Sequence, residues 1–212
     1  MPLRTGVLAC ASAVVLLGCG RSTDGSMPVH ADRGIASAGA AVIAALDSCE
    51  QGGRPTMRWS GGVRAFDRFT LFVPDSAALV GDADAGHFTL SWPGCPDACR
   101  FAVGVHADSG INLEARVARM VAEQRLVDSM NADPRSEAME FDVLAGPPQP
   151  FDTSHGRGYR IDDACGDCAA STLMFGKAGL IASVSLSADA MPGAGHRMCE
   201  MMAVARSFAW RR

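Results

Sequence analysis

Apolar positions recur along the chain in two periods. Ile35, Val42, Ile43 and Leu46 repeat at helical spacing, which predicts a helix over 35–49 ended by Gly52-Gly53. The period then drops to two. Phe69, Leu71 and Val73 alternate with Thr70 and Phe72, a strand stopped by Pro74. Residues 87–92 and 100–106 read as two more strands, joined by a Pro-rich turn. Leu113, Val117, Met120, Val121, Gln124 and Val127 return to helical spacing, with Asn112 as N-cap and Asp133-Pro134 as the stop. Strands are predicted over 139–144, 158–161, 171–175 and 180–186, and a last helix over 195–208. Strands joined by turns beside segregated helices indicate an α+β fold, a mainly antiparallel sheet packed against helices. No internal repeat or second domain is visible.

The first nineteen residues follow neither period. Arg4 precedes an unbroken small-apolar run from Gly6 to Leu17, closed by Gly18-Cys19. This is the layout of a secretory signal peptide. The run is too short to span a bilayer, which needs about 20 apolar residues. Ala9, Ala11 and Ala13 offer a simple cleavage site instead, and Cys10 a second lipidation site, but Cys10 lies too early in the run. Leu16-Leu17-Gly18-Cys19 resembles the lipobox of bacterial lipoproteins. That resemblance implies a diacylglyceryl thioether on Cys19, cleavage after Gly18 and N-acylation, for example with palmitate. Two acyl chains suffice for stable membrane attachment. Gly20, where an aspartate would retain the protein in the inner membrane, implies sorting to the outer membrane. The chain thus divides into a signal peptide (1–18), a lipidated Cys and polar tether (19–33), and a single α+β domain (34–212).

Charge and cysteines narrow the function classes. The 212 residues carry net charge −4, and loss of Arg4 with the signal makes the mature chain one unit more negative. No basic stripe is present, so nucleic acid is not an expected partner. Of eight cysteines, Cys10 leaves with the signal and Cys19 takes the lipid. Cys49, Cys95, Cys99, Cys165, Cys168 and Cys199 remain, an even set that reads as disulfides in an exported domain. Cys95/Cys99 and Cys165/Cys168 each fall on a turn and can close locally. Cys49 and Cys199 then pair by elimination.

The same residues also allow sharper chemistry. Cys165-Gly-Asp-Cys168 has redox-dithiol spacing, but Gly-Asp suits a hairpin turn and no strand–motif–helix order surrounds it. Cys95, Cys99, Cys165 and Cys168 could offer four thiolates to zinc, although an oxidising compartment competes for them. His196, Met198, Cys199, Met201 and Met202 have donors that suit copper. Yet Met198, Met202, Ala205 and Ala209 form one helical stripe, as a core-facing surface requires. His30, His87, His106, His155 and His196 are dispersed, with His106 and His155 near strand ends that could meet in space. No nucleophile elbow, zinc-protease helix or nucleotide loop occurs, so no cofactor is expected. Gly146-Pro-Pro-Gln-Pro150 reads as a rigid spacer that could present a partner-binding edge.

A resemblance joins these elements. An early strand ending in Pro74, a long central helix, further strands, and a last helix ending Ala205-Arg206-Ser207-Phe208 resemble the PsbP-like fold over residues 55–209. The resemblance implies an antiparallel sheet between helical layers and a domain that acts by binding other proteins. The expectation is a membrane-anchored, periplasm-facing envelope lipoprotein carrying a non-catalytic protein-binding module. The alternative is an envelope thiol-redox or metal-handling factor using the Cys pairs.

Overall fold

The computed structural model describes residues 38–52, 59–93, 99–107, 112–132, 143–164 and 166–212. All lie within the unit Gly34–Arg212. The first part of this unit holds α1 (Ala38–Gln51), β1 (Gly61–Ala65), β2 (Phe69–Pro74), β3 (Ala78–Asp82), β4 (His87–Ser91), β5 (Cys99–Ala107) and α2 (Leu113–Ala132). There follow β6 (Val143–Leu144), β7 (Gln149–Thr153), β8 (Gly156–Ala164), β9 (Cys168–Lys177), β10 (Leu180–Asp189), α3 (Ala194–Ala205) and β11 (Ala209–Trp210).

Alternation along the strands decides the layers. On β10, Ala182, Val184 and Leu186 are buried in the main core, while Ser183, Ser185 and Ser187 face the other way. The main core joins these to Val42 and Leu46 of α1, Met198, Met201 and Met202 of α3, and Phe69 and Leu71 of β2. On the opposite face, Ile161, Met174 and Ile181 are covered by Leu113 and Val117 of α2. A large antiparallel sheet therefore lies between α1/α3 and α2. Its strand order is β3-β4-β5-β10-β9-β8-β6, and β7 also pairs with β8. A second, three-stranded antiparallel sheet, β1-β2-β11, lines the core beside α3.

The α+β class, the mainly antiparallel pairing and the disulfide staple are as expected from the sequence. Several elements differ. β1, β3, β7 and β11 were not predicted, and the sheet is two sheets. β1 and β3 are exposed edge strands with little alternation to betray them. Gln149 and Pro150, the last two residues of the predicted spacer, open β7, an edge strand on which Pro150 is tolerated because no central ladder bond is needed. Of the predicted strand 139–144, only Val143–Leu144 lies within the described residues. The last helix ends at Ala205, so Ala209 is on β11 and not on the helical stripe. Met198 and Met202 are core residues, as their spacing implied. Asn112 does cap α2, its Oδ1 accepting the Ala115 N–H at 2.8 Å.

A disulfide joins Cys49 of α1 to Cys199 of α3, 150 residues apart, with Cα atoms 6.2 Å apart. The two helices touch closely there: a Cβ at Gly195 would lie 2.5 Å from Ala45 Cβ. β8 and β9, the strands on either side of the predicted Cys165–Cys168 turn, pair antiparallel with Ala164 facing Ala169. Cys168 is a buried disulfide cysteine. Cys19, Cys95 and Cys165 lie outside the described residues, so the pairings Cys95–Cys99 and Cys165–Cys168 do too. The chain-entropy effect of closing so long a loop is about 5 kcal/mol. Cys49→Ser/Cys199→Ser is therefore expected to lose several kcal/mol of stability in urea denaturation, with native circular dichroism retained in the absence of urea.

Candidate functional site

Two charged side chains of β8 are buried, whereas Arg157 on the same strand is exposed. Arg160 and Asp162 are on its core side, and Ile161 between them faces α2. Arg160 is 1% exposed, so its charge must be met by protein groups. Its Nε donates to Asp162 Oδ1 at 2.9 Å and to Ser171 Oγ at 3.3 Å. Its Nη2 lies 2.8 Å from Asp47 Oδ1 and 2.9 Å from Asp162 Oδ2. Its Nη1 donates to Glu50 Oε2 at 2.8 Å. Asp47 and Glu50 stand three residues apart near the end of α1, a spacing that aims both at one point. The buried guanidinium thereby fixes the last turn of α1 on the sheet.

Glu50 carries the cluster outward. Its other partner is Arg206, which follows α3 and donates through Nε at 3.0 Å and Nη2 at 2.9 Å to Oε1. One carboxylate thus lies between two guanidiniums, one buried and one at the surface. The Arg206 guanidinium in turn covers the Phe151 ring, 4.3 Å from Cζ to the centroid. Phe151 reaches this position across Gly158, its partner on β8, where a Cβ would sit 2.5 Å from Phe151 Cζ.

These residues form one wall of a cleft of about 610 Å³ between the end of α1, the β7–β8 hairpin, the end of α3 and β11. Its floor is aromatic. Phe151 meets Phe175 edge-on at 5.5 Å, Phe175 meets Phe208 at 4.5 Å, and Phe208 meets Trp210 at 5.2 Å. The row continues into the core through Phe69, 5.0 Å from Phe208. At the far rim, His155 Nε2 lies 3.0 Å from the Trp210 carbonyl. A carbonyl only accepts, so Nε2 is the donor in this contact. Ser207 donates to the Val204 carbonyl at 2.6 Å and accepts from the Phe72 N–H at 2.8 Å. Its hydroxyl therefore ties α3 to β2. The cleft offers a guanidinium held in place, an aromatic floor and a few hydroxyl and imidazole groups.

Burial pushes the Asp162 carboxyl up from the ordinary aspartate range, and the Asp47 charge adds to it; Ser171 and Arg160 pull the other way without overcoming it. Asp162 is the most enclosed of the three carboxylates in the cluster, which is why burial dominates its titration. Burial opposes the charge of Arg160, but Asp162, Glu50 and Asp47 outweigh it and raise its pKa.

The residues singled out in the sequence lie elsewhere. His106 does not meet His155: its ring stands against His87, and His155 turns toward Trp210. The physical reason is sheet order, since β5 sits next to β4 whereas the β7–β8 hairpin is several strands away. His196 points outward and pairs with Glu200 at 3.4 Å, away from the buried Met198 and Met202, so the copper set is not assembled. Cys168, being disulfide-bonded, supplies no thiolate to a zinc site, and it opens a strand and not a helix. Sequence reading missed Glu50, Phe151, Arg160, Asp162 and Arg206. One signal was present: Arg160-Ile161-Asp162 places opposite charges on one face of a strand and an isoleucine on the other.

Because the folded chain holds the Asp162 proton more tightly than the unfolded chain, its contribution to stability is complete below the ordinary aspartate pKa. It is lost as pH rises through the raised folded value. Urea denaturation across that window should show wild type losing stability relative to Asp162→Asn as pH rises, by at most about 1.4 kcal/mol per pH unit. A flat or rising difference would contradict the assignment.

No family model and no curated protein matches the sequence. Solved structures do. Cyanobacterial PsbP (CyanoP) from Synechocystis sp. PCC 6803 aligns with a TM-score of 0.52 at 12% identity, over 75% of this chain and 98% of that one. LpqN, involved in cell envelope biogenesis of Mycobacterium tuberculosis, aligns at 0.40 and 11% identity, over 72% of this chain and 86% of LpqN. The chain is therefore similar to CyanoP in fold, and its architecture is PsbP-like: an α+β domain with an antiparallel sheet between helical layers.

Proposed function

We propose that this chain is an exported bacterial envelope lipoprotein, anchored through lipid on Cys19, whose PsbP-like domain binds another protein. The single observation that carries the binding role is the cleft itself. Arg206, pinned by Glu50 and laid on Phe151, stands over an aromatic floor. Arginine and aromatic side chains held rigid in a partly enclosed pocket are the residue types that dominate protein–protein binding energy. A rigid anchor also loses little side-chain entropy on association. The fold likeness to CyanoP supports a PsbP-like binding module without naming its partner.

Export is supported by the signal-like N-terminus and by the Cys49–Cys199 bridge, which suits an oxidising compartment. Among the described residues no helix is long and apolar enough to cross a membrane. In this reading attachment comes from the acyl chains on Cys19, and residues 19–33 tether the domain on the periplasmic side. Gly20 favours the outer membrane.

In-cell crosslinking of the lipidated protein, followed by affinity recovery, tests both parts. One partner should recur across extraction conditions and be lost with Phe151→Ala and Arg206→Ala, while both variants still unfold in one cooperative thermal transition. Mass analysis of the same sample should find the mature chain beginning at an acylated Cys19, and Cys19→Ser should remain unprocessed. Capture unchanged by both cleft variants would overturn the binding role, and an unacylated mature chain would overturn the anchor.

A further inference from the structure

Away from the cleft, two imidazoles meet on the opposite face of the large sheet. The rings of His87 on β4 and His106 on β5 have centroids 4.8 Å apart and planes tilted by 55°. Both residues are exposed. A gap in the sheet surface brings them together. Across the strands, Asp82 faces His87, His87 faces Gly104, and Gly104 faces Ser183. Directly opposed residues share a face, so this is one continuous row of side chains with a vacancy at Gly104.

His106, two residues further along β5, shares that face and enters the vacancy. A Cβ at Gly104 would lie 3.0 Å from His106 Nε2 and 3.1 Å from Ser183 Oγ. The Nε2 of His106 therefore sits over the position that faces His87, with a hydroxyl beside it. Any residue larger than glycine would hold that nitrogen away.

The separation suits a shared cation. Two imidazoles on one metal at the usual Zn–N distance of about 2.0–2.1 Å place their centroids about 4.6 Å apart at a right angle and about 5.3 Å apart at the tetrahedral angle. The observed 4.8 Å lies between these values. Neutral imidazole is a preferred donor for zinc, copper and nickel. Among the described residues no group of three or more His, Cys, Asp or Glu is arranged to hold a metal ion, so a site at this point would have two protein donors and take its other ligands from water. Asp82, on the far side of His87, adds negative charge while its Oδ1 accepts the Ala85 N–H at 2.9 Å.

We propose that His87 and His106 form a binding site for a divalent transition-metal ion. Each imidazole contributes one nitrogen lone pair, and water completes the coordination beside Ser183. This site is independent of the cleft and of the partner-binding reading.

Titration of the untagged full-length protein with zinc chloride tests it, read by calorimetry and by NMR of the histidine rings. One equivalent should bind, and the His87 and His106 ring signals should move together. His87→Ala and His106→Ala should each weaken binding by at least about tenfold, with the thermal transition unchanged in the absence of zinc. Gly104→Ala should weaken it as well, because its Cβ displaces the His106 nitrogen. His196→Ala should have no effect. The absence of saturable binding, ring signals of His87 and His106 that stay in place, or undiminished affinity in either histidine variant would overturn the proposal.

Discussion

Arg160 imposes the condition that the rest of this domain satisfies. A guanidinium cannot lose its charge at any accessible pH, and stripping it of water without partners is prohibitive. Placed on the core side of β8, it needs carboxylates from more than its own strand. Asp162 is two residues away, but Asp47 and Glu50 have to be delivered by α1. The end of α1 is thus fixed on the sheet by electrostatics, while Val42, Ile43 and Leu46 fix its earlier turns by burial. Replacing such a buried cluster by apolar residues is often neutral for stability, whereas breaking one partner is costly. Its distinctive contribution here is positional.

That position reaches the surface. Glu50 is shared, so the guanidinium that anchors α1 also orients the carboxylate that holds Arg206. Arg206 is thereby laid on Phe151 and not left free in solvent. Next to Glu50 in sequence, Cys49 is bonded to Cys199 of α3, the helix that leads into Arg206. A covalent link to the middle of α3 and an ionic one to its C-cap residue therefore hold the end of α1 against that helix. The cleft they border is built by core constraints: Glu50 holds its arginine, and its aromatics pack against the core.

How much of this was legible in the sequence follows from what periodicity can report. Phe69–Val73, β10 and the two long helices bury one face and expose another, so their spacing gave them away. β1 and β3 bury almost nothing, and β11 is two residues long, so no pattern marked them. Pro150 disguised β7, because a proline argues against a strand unless the strand lies on an edge. The Cys49–Cys199 pairing followed from counting. The cleft did not, because its residues come from positions 50, 151, 175, 206 and 210, and only sheet order brings them together. Arg160 illustrates the limit: a charged residue in a strand reads as a solvent-facing position unless its partners are known.

The most direct test of this account is a double-mutant cycle between Glu50 and Arg160, using Glu50→Gln and Arg160→Met with the disulfide intact. Stability in urea should reveal a coupling energy of about 1–3 kcal/mol, because each variant removes one of the charge partners that the other side chain holds. Effects that add within about 0.5 kcal/mol would contradict the claim that Arg160 holds the end of α1, and with it the cleft, in place.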